Sequence, residues 1–230
     1  MFKRFSICYI LFMFCITGTS AQEDRWTGNA TNLSKGNLRV NSSGRYLEYS
    51  DGTPFLYMGD TAWELISRLN DKETELYLEN RREKGFTVIQ TVILDELDDM
   101  DVSSNGEPKL IDGNIDKPAP DYFTHVDKVI SLAAAKGLYI ALLPTWGDKV
   151  DKQWGKGPEI FTPENAYRYG KWLGERYMNA PNLIWIIGGD RSGDGKNFAI
   201  WNALATGIKS VDKNHFCLLY TSPSPRDAHE

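Results

Sequence analysis

The sequence predicts an α/β fold in which β-strands alternate with α-helices around a parallel sheet. Residues 183–187 form an apolar run between Pro181 and the pair Gly188-Gly189, a pattern typical of a strand buried on both faces. Four such strands are each followed by a segment with helical spacing, and repeated strand–helix units indicate a parallel sheet. No glycine fingerprint of a dinucleotide-binding sheet follows the first strand, which favours a (β/α)8 TIM barrel over an open sheet.

Each predicted unit combines an apolar strand with an amphipathic helix. The strands cover residues 54–59, 86–94, 138–144 and 183–187, and the second strand leads to a helix at 121–136. The first helix spans about 71–84, where Asn70 and Glu73 are spaced for a capping box. The third begins at Thr162, with Pro163 at its first position. The fourth carries an apolar face made of Trp201, Leu204, Ala205, Ile208 and Val211.

The chain is predicted to hold about the first four units of the barrel. A complete (β/α)8 barrel typically needs eight strands and about 250 residues. Here four strands are found, followed at most by the start of a fifth at His215-Phe216, so the barrel domain is assigned to residues 37–216. A short β-hairpin, formed by residues 38–40 and 45–49, precedes the first strand and is expected to plug or flank the main domain.

The first 21 residues have the composition of a secretory signal peptide, with basic residues before an apolar stretch that ends in small residues. We therefore expect export to the periplasm or the extracellular space, with no membrane span after signal removal. Residues 22–36 are predicted to be a flexible polar lead-in. Cys8 and Cys15 leave with the signal, so Cys217 has no partner for an intramolecular disulfide.

Charge and motifs exclude several classes of function. Loss of Lys3 and Arg4 with the signal changes the formal net charge from −5 to about −7, which gives no electrostatic basis for binding nucleic acid. The acidic run at 95–101 lacks the glycine of a calcium loop, so a solvated loop is preferred. The glycine-rich segment 188–197 departs from the spacing of a phosphate loop. No metal or cofactor is therefore expected.

Polar and aromatic residues mark the carboxyl ends of the predicted strands. They are Asp60, Glu64, Gln90, Asp95, Glu96, Trp146, Asp190 and Arg191. In a barrel all these strand ends lie on one face, where acids and aromatic rings suit a sugar-binding site. A salt-bridge or capping role is an equal alternative for Asp60, and bracing of a loop is the alternative for Asp190.

Four linked segments carry a family resemblance. They are GDTAWELISRLN (59–70), YLENRREKGFTVIQTVILDELD (77–98), LLPTWGDK (142–149) and NLIWIIGGDR (182–191). Together they resemble the apiosidase-like family, which comprises glycoside hydrolase family 140 and its relatives, over about residues 36–216. The end of the signal sequence also resembles that of Bacteroidetes proteins.

The resemblance implies a TIM barrel that hydrolyses glycosidic bonds in plant cell-wall polysaccharides. The founding activity of the family is the release of apiose-linked side chains from the pectin rhamnogalacturonan II. By motif, Asp190 matches the family's catalytic acid/base. The implied substrate-binding residues are Asp60, Trp63, Gln90 and Trp146, with Arg191 as their neighbour. Retaining enzymes place a second carboxyl about 5–5.5 Å away, and the family's nucleophile is a Glu at a later strand end that this chain does not reach.

Residues 217–230 depart from the family pattern. This segment, CLLYTSPSPRDAHE, has no strand–helix pattern and resembles a translated sequencing adapter. We therefore expect a sequencing artefact after residue 216 and an inactive N-terminal fragment of a glycosidase. The alternative is a non-catalytic carbohydrate-binding protein or an inactive gene fragment. In either case the expected partner is an oligosaccharide or polysaccharide.

Overall fold

The computed structural model describes residues 27–95, 103 and 106–220. A small antiparallel sheet comes first, with strands β1 (Leu38–Val40), β2 (Leu47–Tyr49) and β3 (Pro54–Phe55) in sequential order. Strands β1 and β2 pair antiparallel, as the hairpin prediction requires. The third strand lies within residues 54–59, which were predicted to be the first strand of the parallel sheet.

A five-stranded parallel sheet forms the centre of the fold. Its strands, in both chain and spatial order, are β4 (Gly59–Thr61), β5 (Val88–Leu94), β6 (Tyr139–Thr145), β7 (Leu183–Gly188) and β8 (Cys217–Tyr220). The connecting helices are α1 (Leu65–Arg68), α2 (Asp71–Glu83), α3 (Pro120–Ala135), α4 (Pro163–Tyr177) and α5 (Gly195–Val211). Because every strand pair is parallel, the carboxyl ends of all five strands meet at one edge of the sheet.

The two faces of the parallel sheet bury different side chains. Ile140 and Leu142 of β6 belong to a large apolar cluster shared with the helices, whereas Ala141 and Leu143 belong to a second cluster on the opposite face. This alternation is the period of two that a β-strand imposes. We call the face of Ala141 the inner face and the face of Ile140 the helix face.

The small antiparallel sheet covers the inner face at the amino ends of the strands. Phe55 lies edge-on to Tyr139, the first residue of β6, with the ring centroids 5.2 Å apart. Leu38 and Tyr49 are buried in the same cluster. The small sheet thus closes the amino end of the inner face, and the carboxyl end is where a site can form.

The start of the parallel sheet differs from the prediction. Residues 54–59 were expected to form its first strand, but Pro54 and Phe55 pair with β2, and the first parallel strand is β4. The segment between them is held by Thr87, whose hydroxyl accepts a hydrogen bond from Met58 N and donates one to Leu56 O. The side chains of Leu56 and Met58 are exposed, so the apolar residues of this segment do not mark a buried strand as predicted.

The helix starts agree with the predicted caps. Asn70 accepts hydrogen bonds from the backbone N–H of Lys72 and Glu73, and the Glu73 carboxylate accepts one from Asn70 N. Thr162 caps α4, with Pro163 at the first helical position. These side chains satisfy amide groups that the first turn of a helix leaves without partners.

Part of the segment assigned as a non-family tail belongs to the sheet. Cys217–Tyr220 form β8 and pair in parallel with β7, so the strand continues beyond the predicted limit at 216. The ladder is made by main-chain groups, which any non-proline residue supplies, so an atypical sequence can still occupy an open sheet edge. Residues 221–230, the predicted signal peptide and residues 96–101 of the acidic run lie outside the described part of the chain.

Candidate active site

Two tryptophans pack together at the carboxyl edge of the sheet. Trp63 follows β4 and Trp146 follows β6, and their ring centroids are 5.1 Å apart. Both rings pack against the inner-face cluster and are partly buried. The backbone holds them there, because Trp146 N donates to Leu94 O and Val92 N donates to Trp63 O. The indole Nε1 of Trp146 is buried without a protein partner among the described residues, so a polar donor remains unused beside this ring pair.

Gln90 lies on the inner face of the parallel sheet. It aligns with Thr61 on one neighbouring strand and with Ala141 on the other. Its Nε2 donates to the hydroxyl of Tyr57 at 3.2 Å. Gln90 therefore lies within β5 rather than beyond its carboxyl end.

Asp190 follows β7 by two residues and is accessible. Its Oδ2 lies 2.5 Å from Arg191 Nη1, and its side chain is 30% exposed. A Cβ built on Gly147 would lie 2.8 Å from Asp190 Oδ1. The absence of a side chain at Gly147 thus allows the carboxylate to lie against the loop that follows Trp146.

Arg191 braces the loop that follows β6. Its side chain is buried, with Nε donating to Asp151 O at 2.6 Å and Nη2 donating to Lys152 O at 2.9 Å. The guanidinium also lies 4.1 Å from the ring centroid of Trp154. These donors are directed at protein groups, so Arg191 links the loops that follow β6 and β7. Its expected contact with substrate stays a prediction.

Asp60 lies on the helix face of the sheet and not on the inner face. It lies in the middle of β4 and aligns with Ile89, which packs on the helix face. Its carboxylate accepts a hydrogen bond from the Tyr77 hydroxyl at 2.7 Å and pairs with Arg81 at 2.9 Å. Burial, followed by the contact with Asp60, raises the pKa of Tyr77. These contacts favour the salt-bridge alternative for Asp60 over the expected substrate-binding role, because the register of β4 places its side chain on the helix face.

The carboxylate of Asp95 is also bound by a protein group, in the interior of the fold. Asp95 directly follows β5 and is buried, and its Oδ1 lies 2.5 Å from Lys109 Nζ. Its Oδ2 is buried without a hydrogen-bond partner among the described residues. A buried carboxylate requires a partner of opposite charge, so this pair is a structural feature of the loop after β5.

Sequence reasoning did not single out Trp154. It lies in the loop between β6 and α4, and 70% of its surface is exposed. A signal existed, because this tryptophan stands in a polar, glycine-containing loop between the predicted third strand and the helix that begins at Thr162. Aromatic residues in such loops are less easily explained by core packing than those in strands and helices.

The described residues contain no group of three or more His, Cys, Asp or Glu side chains placed to hold a metal ion. Among the same residues, no helix is both long and apolar enough to cross a membrane.

Residues 41–229 match the family described as "Apiosidase-like, catalytic domain". The chain belongs to the apiosidase-like family. The match includes the β4–β8 sheet and the loops that carry Trp63, Trp146 and Asp190. No protein with a curated description matches the chain significantly.

Solved structures agree with the family assignment. A protein titled "Glycoside hydrolase" is 41% identical, with a TM-score of 0.72 over 81% of this chain. A family 5 glycoside hydrolase from Bacteroides vulgatus is 34% identical, with the same TM-score and coverage. The chain spans about two fifths of the length of both, 41% and 40%. The catalytic domain of a Thermobifida fusca endoglucanase, at 14% identity, a TM-score of 0.53 and coverage of 83% of this chain and 55% of that one, is similar in fold alone.

Proposed function

We propose that this chain is part of a glycoside hydrolase that removes side chains from plant cell-wall polysaccharides, with Asp190 as the proton donor. The observation that carries the proposal is the accessible carboxylate of Asp190 at the carboxyl end of β7, beside Gly147 and Trp146. Family membership supplies the class of reaction. The apiose-linked side chains of rhamnogalacturonan II are the substrate that the family resemblance favours.

The chemistry of glycoside cleavage explains the need for such a carboxyl. The leaving oxygen must gain a proton as the bond to the anomeric carbon breaks, and a positioned carboxylic acid supplies it. In a retaining enzyme a second carboxylate attacks the anomeric carbon, and the first group then removes a proton from the incoming water. We assign the first role to Asp190. The second role falls to a Glu that the resemblance places at a later strand end.

The proposal includes a barrel of which this chain forms the first part. Five parallel strands in sequential order, joined by helices on one face, are the repeating pattern of a (β/α)8 barrel. The coverage of about two fifths of the longer relatives supports the same view. Export to the periplasm or extracellular space is proposed from the apolar segment within residues 1–21.

Asp190→Asn in the full-length protein that carries this chain tests the assigned role. Two substrates are compared: a dinitrophenyl apioside, whose leaving group departs without a proton, and rhamnogalacturonan II, whose sugar leaving group needs one. Removal of the acid should slow formation of the glycosyl-enzyme on the polysaccharide about 10²–10⁴-fold and affect the activated substrate far less at that step. Added azide should restore turnover of the activated substrate, because this anion attacks the anomeric carbon of the glycosyl-enzyme in place of water and needs no base, giving a glycosyl azide.

Asp194→Asn is the matched control, because Asp194 lies in the same loop and its carboxylate accepts a hydrogen bond from Ser192. It should retain full activity on both substrates. Equal activity of Asp190→Asn and the parent protein on the polysaccharide would contradict the assignment. Retained binding of rhamnogalacturonan II fragments without hydrolysis in the parent protein would instead favour a carbohydrate-binding protein.

A further inference from the structure

Trp154 is an exposed tryptophan that no part of the proposed mechanism uses. It lies at the carboxyl edge of the sheet, in the loop between β6 and α4, with 70% of its surface exposed. The other described tryptophans are partly or fully buried. An exposed indole at this edge of the sheet presents a flat apolar face that is available to a ligand.

The ring is held in place from one side. The Arg191 guanidinium lies over it at 4.1 Å from the centroid, and Arg191 is itself fixed by Asp151 O and Lys152 O. The Asp151 carboxylate in turn accepts hydrogen bonds from Lys196 and Asn197 at the start of α5. One face of the ring is thus occupied by a buried cation, and the ring is ordered before any ligand arrives, which lowers the entropic cost of binding.

The same guanidinium contacts the carboxylate of Asp190 at 2.5 Å. Trp154 and Asp190 are therefore separated by a single side-chain group. A proton donor in a glycosidase lies next to the oxygen that joins the two sugar units, so a ring beside the donor is placed to meet the departing unit.

We propose that Trp154 is a stacking platform for the sugar unit on the leaving-group side of the scissile bond. The free face of the indole packs against the C–H face of that sugar, and Arg191 positions the platform relative to Asp190. This inference rests on the proposed role of Asp190 and adds the residue that selects a carbohydrate leaving group.

Trp154→Ala in the full-length protein is the direct test, with rhamnogalacturonan II and methyl apioside as probes. The methyl leaving group is too small to reach the ring. Loss of the platform should lower kcat/KM for the polysaccharide roughly tenfold, through a higher KM, and leave methyl apioside within about twofold of the parent. Trp154→Phe should restore most of the loss, because a smaller aromatic ring still presents a flat apolar face.

Tyr46→Ala is the control, because Tyr46 is an exposed aromatic in the β1–β2 hairpin at the other end of the fold. It should leave both rates unchanged. An unchanged kcat/KM for the polysaccharide in Trp154→Ala would overturn the proposal that Trp154 is a stacking platform. An equal loss on both substrates that Trp154→Phe does not recover would also overturn it, since that pattern indicates a damaged loop.

A binding measurement separates failure of the platform from failure of the proposed function. Calorimetric titration with a rhamnogalacturonan II fragment is made on Asp190→Asn protein, with and without Trp154→Ala. Roughly tenfold weaker binding in the double variant supports the platform even if no hydrolysis is found. Equal binding in the two proteins overturns it, whatever the role of Asp190.

Discussion

Asp60 lies within one strand of the parallel sheet and Asp190 lies just beyond the carboxyl end of another, and the structure gives the two acids different surroundings. Their side chains are similarly exposed, 26% for Asp60 and 30% for Asp190. Asp60 lies within β4 on the helix face and is bound by Tyr77 and Arg81 of α2. Asp190 lies beyond the end of β7, against the loop that carries Trp146 and Trp154.

The contrast shows that neither residue type nor exposure decides which acid is available for chemistry. Position along the strand decides it. A residue inside a strand takes the face that its register sets, and for Asp60 this is the face shared with Ile89. A residue beyond the strand end is freed from that alternation and can lie against a neighbouring loop, as Asp190 does against Gly147.

The largest effect on stability that we expect comes from breaking the ion pair between Asp95 and Lys109. Like Asp60, Asp95 is paired with a cationic side chain of the protein. Lys109→Met should lower the free energy of unfolding by about 3–5 kcal/mol, because it leaves a buried carboxylate without its cation. Urea denaturation measures the change. Lys117→Met is the control, since the Lys117 ammonium is exposed and lies 3.7 Å from Asp112. If Lys109→Met lowers the free energy of unfolding by less than about 1 kcal/mol, the ion pair does not stabilise the fold. Asp95 would then resemble Asp190, an acid that is free for another role.

The next effect concerns Asp212, which lies near the amino end of β8. Burial alone would raise the pKa of the Asp212 carboxyl, but hydrogen bonds from His215 and from the Trp185 indole outweigh it and lower the pKa from 3.8 to about 2. A depressed folded-state pKa stabilises the fold above about pH 4, and this contribution is lost as the pH falls toward 2.

The contribution of Asp212 is roughly 2 kcal/mol. Asp212→Asn should therefore be less stable than the parent protein at pH 6, and the gap should close between about pH 4 and pH 2. Urea denaturation across this range measures it. Asp112→Asn, at an exposed acid, should show no such pH-dependent gap. A gap for Asp212→Asn that stays constant down to pH 2 would contradict the assigned role.

The smallest expected effect belongs to Asp60 itself. Asp60→Asn should cost about 1–2 kcal/mol in stability, since its partners remain half-solvated and can reach water. A double-mutant cycle with Arg81→Met, followed by thermal and urea unfolding, should give a coupling free energy that identifies the ion pair. Additive single effects would mean that the two residues do not interact.

Local signals in the sequence predicted much of this fold. The caps at Asn70 and Thr162 act through residues adjacent in the chain, and they appear as expected. Strands β5, β6 and β7 are buried on both faces, so a continuous apolar run was sufficient to find them. In each case the determining contacts are short-range or depend on burial alone.

The remaining features depend on contacts between distant parts of the chain. The start of β4 depends on Thr87, 29 residues from Met58, whose hydroxyl binds the backbone before the strand. The bracing role of Arg191 depends on carbonyl groups about 40 residues away. Such pairings leave no periodic pattern in the sequence. The side of the sheet on which Asp60 lies and the position of the Trp154 ring depend on them, so neither could be predicted.

The most direct test of the account is a comparison of kcat/KM for rhamnogalacturonan II between Asp190→Asn and Asp60→Asn, both made in the full-length protein that carries this chain. We predict a fall of about 10²–10⁴-fold for Asp190→Asn and a change within about twofold for Asp60→Asn at a temperature where both are folded. A large loss in Asp60→Asn together with full activity in Asp190→Asn would contradict the assignment of these two acids.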